Sequence, residues 1–226
     1  MTLKFYGHSC FSIQTEGCLL LIDPFITGNP LASKVDIATL KPTHILLSHG
    51  HQDHILDAEA IAKASGAMLI SNYEIATWYE NKGVTNTMGM NFGGNFTFKD
   101  GTIKMVPALH SSQLPDGSYG GNPAGFIIKV DGETIYYAGD TGLSAEMDYI
   151  GKFERPTLAV LPIGDVFTMG VNDAILCSDI IQCNKVIGMH YNTFPPIEID
   201  KNEAKRKFGA ANKELILMDI EESLMF

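Results

Sequence analysis

The segment His49-Gly-His-Gln-Asp-His54 places four side chains able to bind metal, His49, His51, Asp53 and His54, within six residues. It follows directly on His44–Ser48, a short apolar run bounded by loop residues that reads as a buried strand. Imidazole and carboxylate suit borderline and hard divalent ions such as Zn²⁺, Mn²⁺, Fe²⁺ or Ni²⁺. If the turn holds His49 and His51 on one side, Asp53 and His54 can face a second ion. Gly50 carries no side chain and permits the tight backbone this convergence needs.

Three further polar residues end mostly apolar segments: His110 after Ile103–Leu109, Asp140 after Ile135–Gly139, and His190 after Val186–Met189. That is the position from which a sheet delivers side chains to one rim. The surrounding pattern reads as strands at 3–6, 11–15, 19–23, 96–99, 102–106, 125–130, 134–138, 158–162, 186–189 and 215–218. Asp100-Gly101 and Asp131-Gly132 are hairpin turn signals. Helices are expected at 57–65, capped by Asp57 and ended by Gly66, and at 73–81, 172–182 and 201–208. Two β-rich blocks, each followed by helices, predict two sheets with helices outside them. The hairpins 11–23 and 126–140 also echo each other, and the second strand of each runs out into an aspartate, Asp23 or Asp140.

The 226 residues, with 45% apolar and 19% charged, fit one domain spanning 1–226 and exclude disorder, collagen or coiled coil as a description of the whole. Sixteen basic against twenty-six acidic residues give a net charge of −10, which disfavours coating of nucleic acid. Cys10, Cys18, Cys177 and Cys183 form no C-x-x-C pair and are expected to be buried free thiols. The opening residues lack the pattern of a signal peptide, and no apolar run approaches a bilayer span. A cytoplasmic protein without membrane attachment is expected.

With these residues in view, the chain resembles the metallo-β-lactamase-fold hydrolases. The resemblance rests on His-x-His-x-Asp-His at 49–54, His110, Asp140 in Gly-Asp-Thr, and His190, and runs from about residue 8 to 196. It implies an α/β (α+β) fold, a four-layer αββα sandwich with metal at one sheet edge. It further implies that His49, His51 and His110 hold one divalent ion, that Asp53, His54 and His190 hold another, and that Asp140 bridges them. Gly7-His-Ser-Cys-Phe11, Gly139-Asp-Thr-Gly142 and His190-Tyr-Asn-Thr-Phe-Pro195 resemble the small metal-dependent hydrolases related to ascorbate-6-phosphate lactonase. True β-lactamases usually lack the bridging aspartate, and the diiron oxygen reductases of the fold carry Glu where His51 stands.

One or two divalent ions (Zn, Mn, Fe or Ni) would make a bound hydroxide available near neutral pH. Asp53 is the residue expected to orient that nucleophile and take its proton. His8, brought to the same rim by its hairpin, is a second catalytic candidate or a structural histidine, and His44 reads as structural. Asp23 either orients a ligating histidine or caps a turn. Asn192 and Thr193 either donate to substrate oxygens or close the Phe194-Pro-Pro196 turn, and Gly120–Pro123 reads as a turn. The expected substrate is a small molecule, first a phosphodiester and alternatively a phosphorylated lactone or other acyl compound. A non-catalytic metal-binding regulator is a further reading, and a homo-oligomer is the ordinary assembly.

Overall fold

Alternation decides which face each strand buries. Leu20 and Ile22 pack in the core between the two sheets, while Leu21, between them, packs under the outer helices together with Ile45, Leu47 and Leu69. The computed structural model describes residues 1–226. The first half consists of β1 (Thr2–Gly7), β2 (Cys10–Gln14), β3 (Leu19–Ile22), β4 (His44–Leu46), α1 (Gln52–Ile55), α2 (Ala58–Ser65), β5 (Met68–Asn72), α3 (Tyr73–Asn81) and β6 (Thr87–Met90). The second consists of β7 (Asn95–Phe98), β8 (Gly101–Pro107), β9 (Ala124–Val130), β10 (Glu133–Tyr137), α4 (Met147–Tyr149), β11 (Leu158–Pro162), α5 (Val171–Ile180), β12 (Lys185–Met189), α6 (Lys201–Ala210), β13 (Glu214–Ile216) and β14 (Ser223–Met225).

The two sheets repeat one pairing scheme. From β14 through β1, β2 and β3 the pairs are antiparallel, and from β3 through β4 and β5 to β6 they are parallel. The second sheet runs from β7 through β8 and β9 to β10 antiparallel, then through β11 and β12 to β13 parallel. Parallel strands need crossovers, and the crossover helices lie on the outer faces, giving the four layers. The C-terminal ends of the parallel strands then share one edge of each sheet, which is where such folds present function.

The hairpin echo is real but its register differs from the sequence impression. Ile22 pairs with Leu46 as Tyr137 pairs with Val160, so Asp23 matches Ala138 and not Asp140. Asp140 lies two residues further out, past Gly139, whose φ of +63° and contact with the Ala124 carbonyl leave no room for a side chain.

Three strands are absent from the sequence expectations. Residues 68–72 run into α3 without a Gly or Pro break, and β6 and β14 are short edge strands of weak pattern. Asp57 does precede α2, but its carboxylate makes no capping bond there. It accepts instead from the Ile26 and Thr27 amides and the Thr27 hydroxyl, pinning the loop after β3. All four cysteines are free and buried, and no helix is long and apolar enough to cross a membrane. Ile128, fully buried in the core, is a direct test of the packing: Ile128→Ala should cost about 2–5 kcal/mol in urea unfolding.

Candidate metal centre

Equivalent strands deliver equivalent groups to the shared edge. β1 and β8 hold the same place in their sheets, and each leads to a histidine, His8 or His110. β4 runs into His49, α1 carries Asp53 and His54, the chain after β10 carries Asp140, and β12 ends at His190. Sheet pairing thus brings residues more than a hundred positions apart into one cluster.

Asp140 is at its centre. Its Oδ2 lies 3.0 Å from His190 Nε2, 3.3 Å from His54 Nε2, 3.6 Å from His110 Nε2 and 3.9 Å from His49 Nε2. Ligating atoms of His49, His51 and His110 fall together as one group, and those of His8, Asp53, His54 and His190 as another. His49 Nε2 faces His51 Nδ1 at 3.0 Å.

Asp23 fixes the orientation of two of these imidazoles. Completely buried, it accepts from the Ser48 amide at 2.8 Å, the Ser48 hydroxyl at 2.5 Å, the Tyr137 hydroxyl at 2.8 Å and His54 Nδ1 at 2.8 Å. A carboxylate cannot donate, so His54 carries its proton on Nδ1 and turns Nε2 toward Asp140. The Ser48 hydroxyl, spent on Asp23, accepts from His49 Nδ1 at 3.0 Å, which leaves His49 Nε2 as a lone pair. One carboxylate therefore orients a member of each group. Sequence patterning pointed to Asp23, but Ser48 and Tyr137 carried no signal, because an ordinary strand serine and tyrosine acquire this role only through cross-strand placement.

Electrostatics follow from this crowding. Burial holds the His49, His51 and His110 imidazoles below the ordinary range. Burial alone would raise the Asp140 carboxyl, but the charges of His54 and His190 hold it well down. Asp53 is likewise held low against burial by its His8 hydrogen bond and His54. His54 is raised in spite of burial by Asp140 and Asp23.

These residues fit a divalent cation. His54 Nε2 and Asp140 Oδ1 are buried without a hydrogen-bond partner, and three acceptor carboxylates, Asp23, Asp53 and Asp140, share the space with imidazoles. His8 does not present a lone pair to that space. Its Nε2 meets Asp53 Oδ2 at 3.1 Å and its Nδ1 meets Thr193 Oγ1 at 2.9 Å, so Nε2 donates and the threonine hydroxyl donates to Nδ1. Burial pushes the His8 imidazole down to about 4. His8 is also tied across the sheets by its carbonyl, which accepts from the His190 amide at 2.9 Å.

Asn192 and Thr193, left open in the sequence between substrate donors and turn closers, both have partners within the chain. Thr193 is buried with its hydroxyl engaged on His8, and Asn192 Oδ1 accepts from the Ile199 amide at 2.7 Å, closing its own loop. Gly50 serves close approach: a side chain there would meet the Gln113 carbonyl at 3.1 Å, and its amide donates to Ser112 Oγ. That contact straps the His110 loop onto the His49–His51 turn, and Asn72 holds the same strap through the Gly120 and Asn122 carbonyls. His44 stands apart, against Phe96 and Phe98.

The family model for a beta-lactamase superfamily domain matches residues 2–190. The chain belongs to the beta-lactamase superfamily. Within it, the chain is a metal-dependent hydrolase of the metallo-β-lactamase fold. It is 53% identical over 225 residues to a UPF0173 metal-dependent hydrolase of Christiangramia forsetii, covering 99% of each chain. It is 46% identical over 225 residues to one of Methylacidiphilum infernorum, covering 100% of each. Igni18, a metallo hydrolase of the archaeon Ignicoccus hospitalis, superposes with a TM-score of 0.89 at 38% identity, over 100% of this chain and 99% of that one.

The Asp23 network gives a test specific to this metallohydrolase. Asp23→Asn should lower divalent-metal affinity about 10- to 100-fold in chelator competition while circular dichroism stays native-like. Unchanged affinity would mean that Asp23 does not orient the histidines.

Proposed function

We propose that the chain hydrolyses a small-molecule ester, in the first instance a phosphodiester, at this edge. The observation that carries the reading is the convergence of four imidazole Nε2 atoms on Asp140 Oδ2, beside an Asp53 that His8 holds in place. His49, His51 and His110 would hold one divalent ion, Asp53, His54 and His190 a second, with Asp140 shared. When bound, such ions make water acidic enough to attack at neutral pH and steady the charge that builds on the substrate.

The chain's own residues supply positioning and proton handling. Asp53 is the most solvent-accessible carboxylate of the cluster, its side chain 30% exposed against 3% for Asp140 and none for Asp23. It orients the attacking water and accepts its proton on Oδ1, since His8 occupies Oδ2. His8 fixes the Asp53 rotamer, and Thr193 fixes the ring of His8 through Nδ1. Asn192 acts on this site indirectly, by shaping the loop that carries Thr193.

Hydrolysis of bis-p-nitrophenyl phosphate with added Mn²⁺, Zn²⁺ or Ni²⁺ tests the reading. Turnover should require metal and fall by more than about 100-fold in His51→Ala, since even residues behind a metal ligand cost 10- to 100-fold. His8→Ala should keep its metal content and lose about 10- to 100-fold in kcat. Near-normal turnover in His51→Ala would contradict the site. Lactone hydrolysis in place of phosphodiester hydrolysis would move the substrate class from phosphorus to carbonyl.

A further inference from the structure

A cavity of about 410 Å³ adjoins the metal centre at His8, which forms part of its wall while its imidazole holds Asp53. The rest of the wall comes from β1, the chain after β12, the start of α6 and the turn between β13 and β14. None of the seven candidate metal ligands lines it. Its size falls in the range of small-molecule sites, about 300–1,000 Å³.

Polar groups on this wall lack partners within the chain. Tyr191 is 7% exposed, yet its hydroxyl makes no hydrogen bond. Burial and the charges of Asp219 and Glu222 push that hydroxyl up to about 12, so it keeps its proton and can donate. Asn192 spends its Oδ1 on the Ile199 amide, which leaves Nδ2 without a partner. Behind Gly7, in the space that a side chain there would take, Asn29 Nδ2 is buried with no acceptor. Such donors mark a place where a partner from outside the chain completes the bonding.

Two opposite charges share the wall without meeting. Lys201 begins α6 and Asp219 follows β13, so only the fold brings them to one cavity. Lys201 Nζ lies 5.7 Å from the centre of the Tyr191 ring, and Asp219 acts on the hydroxyl of the same residue. Neither forms an ion pair, with the other or with any other group. An anion alone would be drawn by Lys201 and repelled by Asp219, and a cation alone the reverse. A molecule carrying both charges complements each. The apolar part of the wall, Phe5, Leu31, Met218 and Ile220, suits a short carbon frame between them.

We propose that this cavity binds a small zwitterion, an amino-carboxylate or an aminoalkyl phosphate, with its anionic end on Lys201, Asn192 and Tyr191 and its ammonium on Asp219. The site is separate from the candidate metal ligands and stands whatever the metal centre hydrolyses. Its occupant touches His8, the residue that holds Asp53.

Met218, 2% exposed, lines the cavity and carries a methyl group that reports on it. In Zn²⁺-loaded protein labelled at the methionine methyls, its NMR signal separates cavity binding from anions held at the metals. The probes are phosphoethanolamine against ethyl phosphate, and β-alanine against propionate. At least one ammonium-bearing probe should shift the Met218 methyl saturably and bind about tenfold or more tightly than its partner, the size expected of a charged hydrogen bond. The pair that shows the preference tells phosphate from carboxylate. Lys201 and Asp219 are exposed, so their variants should keep the fold and the metal content. Lys201→Ala should weaken the tighter probe about tenfold or more, and Asp219→Asn should bring its pair near parity. No Met218 shift with any probe, no preference for an ammonium-bearing probe, or binding unchanged in Lys201→Ala would each overturn the site.

Discussion

Asp140 Oδ2 lies within 3.9 Å of four imidazoles from three chain segments, and two more carboxylates, Asp23 and Asp53, stand beside it. Carboxylates buried this closely repel one another unless positive charge joins them. Asp140 and Asp23 raise the His54 imidazole in spite of its burial, and its charge meets part of that need. A divalent cation answers the same need more completely, and its binding would displace that proton. The sheets can be understood as the scaffold that keeps this charge cluster from relaxing apart.

Rigidity comes from the paired architecture. Each sheet ends its parallel strands on the shared edge, and side chains there are braced from behind by strand neighbours. Asp23, Ser48 and Tyr137 come from three strand ends across both sheets and orient His49 and His54 alike, each held through Nδ1 with Nε2 turned to the cluster. Positive φ at His8, Asp23 and His190 shows the backbone bent to aim these side chains. The price is accepted where the chemistry sits.

The metal-capable residues were legible because histidines and aspartates at the ends of apolar runs are a local pattern. The two-sheet layout was legible from alternation and turn residues such as Asp131-Gly132, both of which adopt positive φ in the β9–β10 hairpin. What escaped were relationships made by packing. Nothing near Thr193 announces that its hydroxyl meets His8, 185 positions away, and nothing near Asp57 announces that it serves Ile26 and Thr27. Asp23 follows its strand directly while Asp140 lies two residues further out, an offset that hairpin similarity does not report.

Native mass spectrometry of the wild-type chain beside Asp140→Asn, titrated with Zn²⁺ or Mn²⁺, addresses the central claim most directly. If the carboxylate at the centre is what gathers the ions, the wild type should take up two per chain and the variant should fail to hold the pair. A folded wild-type chain that retains no divalent ion, or a variant that binds both as tightly, would contradict the account.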